Sequence, residues 1–371
     1  MQASSNVQVD RPSHRLEPVL SKLGWLSFCT LLVIACVGVP LLHAALPTSS
    51  PLQIPAYAVT VLGKFACFAM AAIAMDLLWG YTGVLSLGQG VFFALGAYAM
   101  GMNLMLSIGS SGVYRSRLPD FMVFLDLKTM PWFWRPFDSF WFAIFAALAV
   151  PGTLAFLFGY FSFRSRIRGV YFSIISQAVT YALMLLFFRN ETGLGGNNGL
   201  TDFKNIYGYP LQTDATKVAL YILSAAGMCG VYLLARWVTT SKAGRVLRAI
   251  RDQEARVPFT GYNVVHFKVF AFTLSAVVCG LAGALYVPQV GIINPSELQP
   301  ANSIEMAIWT AVGGRGTLIG AALGAWAVNA AKSWFTVALP EWWLYILGTL
   351  FIGVTLFFPR GLFGLFARRK A

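Results

Sequence analysis

Apolar stretches long enough to cross a membrane recur from residue 24 to residue 358 of this chain, and they leave few folds open to it. A helix needs roughly 20 apolar residues to span the hydrocarbon core of a bilayer, and the sequence offers that many times over. Charge is correspondingly scarce. Of the 371 residues, 57% are hydrophobic and 11% charged, whereas a soluble domain carries about 25% charged residues. So little charge cannot cover a water-soluble body of this size, and lipid must be at least part of the solvent.

Ten spans are expected, at about 24–46, 56–79, 90–108, 139–162, 170–188, 217–238, 267–287, 303–313, 317–338 and 342–358. The expected fold class is an all-α polytopic membrane protein of about ten transmembrane helices, some of them broken by glycine. An N-terminal arm (1–23), a transmembrane domain (24–359, with a basic loop at 239–266) and a basic tail (360–371) complete the organisation. The arm is long, polar and partly acidic, unlike a signal peptide, so the first helix is expected to stay uncleaved. The five cysteines all fall inside apolar spans. Their odd number and the lack of a CxxC suggest neither a disulfide framework nor a zinc site.

The formal net charge is +13. In a soluble protein this balance would suggest nucleic acid. Here a topological cause suffices, because cytoplasmic loops of membrane proteins collect Lys and Arg, and no nucleic-acid-binding motif is present. With the N-terminus inside and alternate loops assigned to each side, 18 of the 27 Lys and Arg are cytoplasmic and 7 are outside. Both termini are then cytoplasmic.

Two glycine-rich stretches, GVLSLGQGVFFALGAYA (83–99) and GTLIGAALGAWAV (316–328), share a G-x-L start and an ALGA-x-A core. Broken helices at corresponding places in two halves point to a transport path. Small residues at this spacing also simply let helices pack closely.

The richest run of arginine is SKAGRVLRAIRDQEARVPFTGY, residues 241–262. Ser241 can cap a helix start, and Pro258 with Gly261 can end one. Leu247, Ile250, Glu254 and Val257 recur at helical spacing beside a basic row of Arg245, Arg248 and Arg251. The spacing predicts a short amphipathic helix, too charged to cross the membrane. It either lies on anionic lipid or docks its apolar knobs, Leu247 and Ile250, and its arginines on a soluble partner.

The run from Gly244-Arg245 to Glu254, then Gly261, then Lys268 to Tyr286 resembles the signature of ABC-importer permeases of the branched-chain amino acid type. GYTGVLSLGQGVFFALGAY (80–98) and GGRGTLIGAALGA (313–325) match the same family. The resemblance implies a coupling helix in a cleft of a separate ATPase subunit, with Gly244, Arg245, Leu247, Arg248, Ile250, Arg251 and Glu254 as coupling residues. It also implies two ATP-binding subunits, a second homologous permease, a periplasmic solute-binding protein and a bacterial inner membrane. Within that family, FRNETGLGGNNGLTDFK (188–204), VPQVGIINPSE (287–297) and NSIEMAIWTAVGGRGTL (302–318) resemble the urea-importer branch more than the amino acid branch. GGNNGLTDF is the discriminating piece, and a branched-chain or other small neutral amino acid is the alternative solute.

No G-x-x-x-x-G-K-[ST] occurs, so the chain has no Walker A loop to cradle ATP phosphates, and no cofactor is expected in it. Urea is neutral, with N–H donors and a carbonyl, so its path calls for neutral hydrogen-bonding groups. The candidates are Tyr81 and Gln89 beside the first glycine break, Asn197 and Asn198 in an outer loop, and Glu305 with Trp309 before the second break. Each also has a plain structural reading, as a turn residue, a backbone partner or packing. Lys64, Asp76 and Lys332 fall inside spans, and Lys332 is expected to snorkel or to pair with Asp76.

Other function classes fit less well. A secondary transporter would use intramembrane acids as an ion relay, and only Asp76 and Glu305 could serve. A passive urea channel would conduct without an ATPase. A polytopic enzyme would need clustered acids or histidines, but His14, His43 and His266 are scattered.

Overall fold

The computed structural model describes residues 20, 22–44, 50, 53–109, 112, 114–116, 118–167, 169–339 and scattered positions from 341 to 361. Nearly all of the expected arm, most of the tenth span and nearly all of the basic tail lie outside the described residues.

The chain is a helical bundle. The first helix runs as α1 (Lys22–Val33), a π-helical turn (Ile34–Gly38) and α2 (Val39–Ala44). Then follow α3 (Ala56–Thr82), α4 (Gln89–Leu106), a short α5 (Asp120–Phe124), α6 (Phe140–Arg164), α7 (Val170–Phe188) and α8 (Asp214–Thr240). The further described helices are α9 (Lys242–Gln253), α10 (Val264–Val290), α11 (Pro300–Gly313) and α12 (Ile319–Ala338). Backbone polar groups in lipid must be satisfied within the segment, which is why the apolar runs become helices.

Among the described residues, six helices (α3, α4, α6, α7, α8 and α10) are long and apolar enough to cross a membrane. The count of ten is not established: α11 has 14 residues, short of a full crossing, and the 342–358 span is mostly undescribed.

The helices sort into an inner set and an outer set. In α4, 89% of the most apolar window is buried, and in α3 and α10 67%, against 39% in α6 and α8 and 33% in α7. Small residues make the inner packing possible. A Cβ on Gly96 of α4 would strike the Gly280 backbone of α10, and one on Gly283 would strike the Phe93 backbone. The outer helices turn Phe145, Phe156, Phe161, Ile174 and Leu185 outward. Exposed apolar side chains of this kind suit lipid rather than water.

Among the described residues, two minimal antiparallel ladders interrupt the helical pattern. Strand β1 (Leu200–Thr201) pairs with β4 (Ile292–Ile293), and β2 (Asn205–Ile206) pairs with β3 (Tyr209–Pro210). The first ladder joins the 188–204 loop to the 287–297 turn, which are far apart in sequence. Gly199, at φ +68°, lies against the Ile293 carbonyl and Asn294, where any side chain would collide.

One of the expected charge pairings is corrected. Lys332 does not meet Asp76; its Nζ donates to both carboxylate oxygens of Glu305, at 2.8 Å each. Both residues lie on the broken-helix pair α11 and α12, so the proximity follows from the hairpin that the linear pattern did not show.

Candidate coupling helix and solute path

Helix α9 forms as the spacing predicts. Ser241 caps it, its Oγ accepting from the Gly244 N–H at 3.4 Å. A 3₁₀ run (Glu254–Thr260) continues it to Gly261, whose φ of +84° turns the chain into α10. Gly244 is required by contact, since it sits against the Thr239 backbone where α8 folds over into α9.

The apolar face of α9 points inward. Leu247 is fully buried and Ile250 is 2% exposed, and Val246, Ile250 and Val257 cluster with Val264 and Phe267 of α10. The two knobs expected to enter a partner therefore anchor the helix to its own bundle. Arg245, Arg248 and Arg256 face solvent, and Phe259 is 91% exposed beside them. Glu254 turns back to Lys268 of α10, at 2.8 Å. Lys268 is buried and also sits over the Phe163 ring. A cavity of about 600 Å³ opens at that pair, lined among others by Arg166, Pro258 and Tyr262.

Arg251 is exposed as well, but one of its guanidinium nitrogens turns toward the bundle. Its Nη1 donates to the Gly80 carbonyl at the end of α3, at 2.8 Å. Tyr81, one turn-end residue further, donates its hydroxyl to the Gly316 carbonyl at 3.1 Å. Asp76 Oδ1 accepts from the Gly316 N–H at 2.6 Å. Tyr81 thus ties the two glycine breaks together.

Gln89 is fully buried. Its Nε2 donates to Ser275 Oγ at 3.2 Å and its Oε1 accepts from Cys279 at 3.4 Å, joining α4 to α10. Asn197 and Asn198 are exposed in a 3₁₀ turn between glycines at positive φ. Glu305 is held by Lys332, and Trp309 packs tilted against Phe68 with ring centroids 4.9 Å apart. The indole Nε1 of Trp309 is buried without a hydrogen-bond partner among the described residues. The six path candidates therefore fall at four separate places.

A polar group of which the sequence reading singled out Lys64 but not Glu297 lies near Trp309. Lys64 Nζ rests over the Phe68 and Tyr286 rings, 5.5 and 5.9 Å from their centroids. The Tyr286 hydroxyl and the Asn302 amide donate to Glu297, each at 3.4 Å. Enclosure of the Glu297 carboxyl raises its pKa above the ordinary range, while Lys64 pulls it the other way. Lys64 and Glu297 are 233 positions apart in sequence, which no local pattern could bridge.

Comparison with known proteins agrees with this architecture. The family described as the branched-chain amino acid transport system / permease component matches residues 57–355. The permease protein LivM of the high-affinity branched-chain amino acid transport system in Salmonella typhimurium is 21% identical over 84% of this chain and 71% of its own length. Its counterpart in Escherichia coli is 21% identical over 80% of this chain and 67% of its own length. The autoinducer 2 import system permease protein LsrC of Yersinia pseudotuberculosis is 32% identical, over 43% of this chain and 48% of its own length. No solved structure matches. The match spans the inner helices, α9 and both glycine breaks, so the chain belongs to the family of branched-chain amino acid transport permeases and is an ABC-type membrane permease component.

Proposed function

We propose that this chain is the permease subunit of an ATP-driven importer of urea, worked by two ATPase chains through α9. A second, homologous permease and a periplasmic solute-binding protein complete the assembly, with both termini of this chain cytoplasmic. The observation that carries the reading is the division of α9: an apolar face fixed to the bundle and a basic face with Arg245 and Arg248 left exposed. A helix anchored in this way passes a load to the spans beneath it. Phosphate-driven closure of the ATPases would move it, and the packed helices would convert that motion to alternating access.

Urea is favoured by the GGNNGLTDF loop and by the way its β1 strand pairs with the VPQVGIINPSE segment. Both stretches resemble the urea branch, and they meet at one end of the bundle. A second reading, a small amino acid, is favoured by Lys64 and Glu297. Opposite charges close together suit a zwitterion, whereas a neutral solute has no use for them.

The test is uptake into vesicles holding the complete complex with ATP supplied. Radiolabelled urea should accumulate, and excess unlabelled leucine should leave it unchanged. Accumulation of leucine, with urea excluded, would establish the second reading.

A further inference from the structure

The arginines of α9 do not share one task. Arg245 and Arg248 face solvent, but Arg251, in the last turn, reaches the Gly80 carbonyl. That carbonyl is one of the last in α3, whose C-cap is Gly83, so it has no partner within its own helix. A guanidinium there satisfies an orphan acceptor and lies at the negative end of the helix dipole. The same side chain also bonds Asp252, its Nε lying 2.9 Å from Oδ1, which fixes its direction.

Gly80 is one side of a three-way junction. Gly316, in the turn between α11 and α12, lies against it so closely that a Cβ on Gly80 would strike the Gly316 backbone. Asp76 and Tyr81 bind the N–H and the carbonyl of Gly316, and the Arg315 guanidinium stacks over Trp79 at 4.7 Å. Arg251 Nη1 is 3.6 Å from the place a Gly316 side chain would occupy. One residue of α9 thus touches the point where both glycine breaks meet. The carboxylate of Asp76 is fully buried against the N–H groups of this turn.

We propose that Arg251 is a positioning residue that carries the displacement of α9 into the junction of Gly80 and Gly316, while Arg245 and Arg248 face the partner. The proposal rests on the reading of α9 as the helix on which the ATPases act. Loss of the Arg251 hydrogen bond therefore uncouples hydrolysis from transport without detaching the ATPases.

The experiment compares the wild-type complex with Arg251→Ala and Arg251→Lys, reading ATPase co-purification, ATP hydrolysis and solute uptake in vesicles. The Arg251 side chain is 38% exposed, so its truncation leaves little void. In Arg251→Ala, co-purification and hydrolysis should persist while solute moved per ATP falls about ten-fold, the size of one charge-assisted hydrogen bond. Arg251→Lys keeps one donor to the carbonyl and should recover part of that ratio. An unchanged ratio in Arg251→Ala overturns the proposal. So does a parallel loss of co-purification and uptake, which would make Arg251 a docking or folding residue. A wild-type chain that retains no ATPase sinks the α9 reading itself, and this proposal with it.

Discussion

Glu305 and Lys332 face each other across the α11–α12 hairpin, with the carboxylate mostly enclosed and the ammonium 40% exposed. An enclosed carboxylate without its cation would be costly, whereas a half-exposed ammonium can still reach water. The two single substitutions should therefore differ. Lys332→Met strands the acid and should lower the thermal midpoint of the detergent-purified complex more than Glu305→Gln does. The double variant should recover part of the loss, with a coupling energy of about 1 kcal/mol. Strict additivity would mean that the pair does not interact in solution. Glu297 gives a pH signature. Its pKa is raised from 4.5 by enclosure, so the folded state holds the proton more tightly than the unfolded chain does. Stability is then highest below the ordinary carboxylate value and falls as pH rises through the raised one. Glu297→Gln should remove that fall and leave a flatter profile of thermal midpoint against pH above 4.5. A profile unchanged by the substitution would place the titration elsewhere.

Helix α9 shows which parts of an element can be read from sequence and which cannot. The Ser241 cap, the three- and four-residue apolar spacing and the Gly261 stop are local, and each forms as its chemistry requires. The direction of the apolar face is not local, because spacing defines a face without saying what lies against it. The same limit applies to the spans. The expected 170–188 run is α7, and 56–79 becomes Ala56–Thr82, since long apolar runs mark their own ends. By contrast, Glu305, the Gly80 carbonyl and Tyr286, which meet Lys332, Arg251 and Lys64, lie on other helices, and only the packing reveals them. The orientation of α9 also reverses a mutational expectation. Leu247→Asp buries a charge against the bundle and should abolish stable expression, not merely release a partner. Arg245→Glu with Arg248→Glu alters only exposed positions. It should leave thermal stability within about 0.5 kcal/mol of wild type while reducing ATPase co-purification. If the double charge reversal left co-purification intact, the exposed basic face would not be the docking surface.

At the scale of the whole molecule, the question is where energy enters. The sequence has no Walker A loop, and the proposed function accordingly assigns hydrolysis to separate ATPase chains. The buried acids are committed to structural partners: Glu305 binds Lys332, and Asp76 binds the Gly316 N–H. Neither forms the open chain of exchangeable groups that an ion-coupled carrier would use. The inner helices close on one another at Gly96, Gly280 and Gly283, where backbone meets backbone. A passage between these helices would have to separate surfaces that interdigitate, and such a movement needs work from outside. Vesicles containing this chain alone should therefore pass urea no faster than bare lipid, as measured by stopped-flow light scattering. Adding the ATPase, second permease and solute-binding chains with ATP should produce uphill uptake that survives collapse of the proton gradient. Rapid flux through the isolated chain would identify a passive pore. Uptake abolished by an uncoupler while ATP is held constant would identify an ion-driven carrier, and in either case α9 would not be the point of energy input.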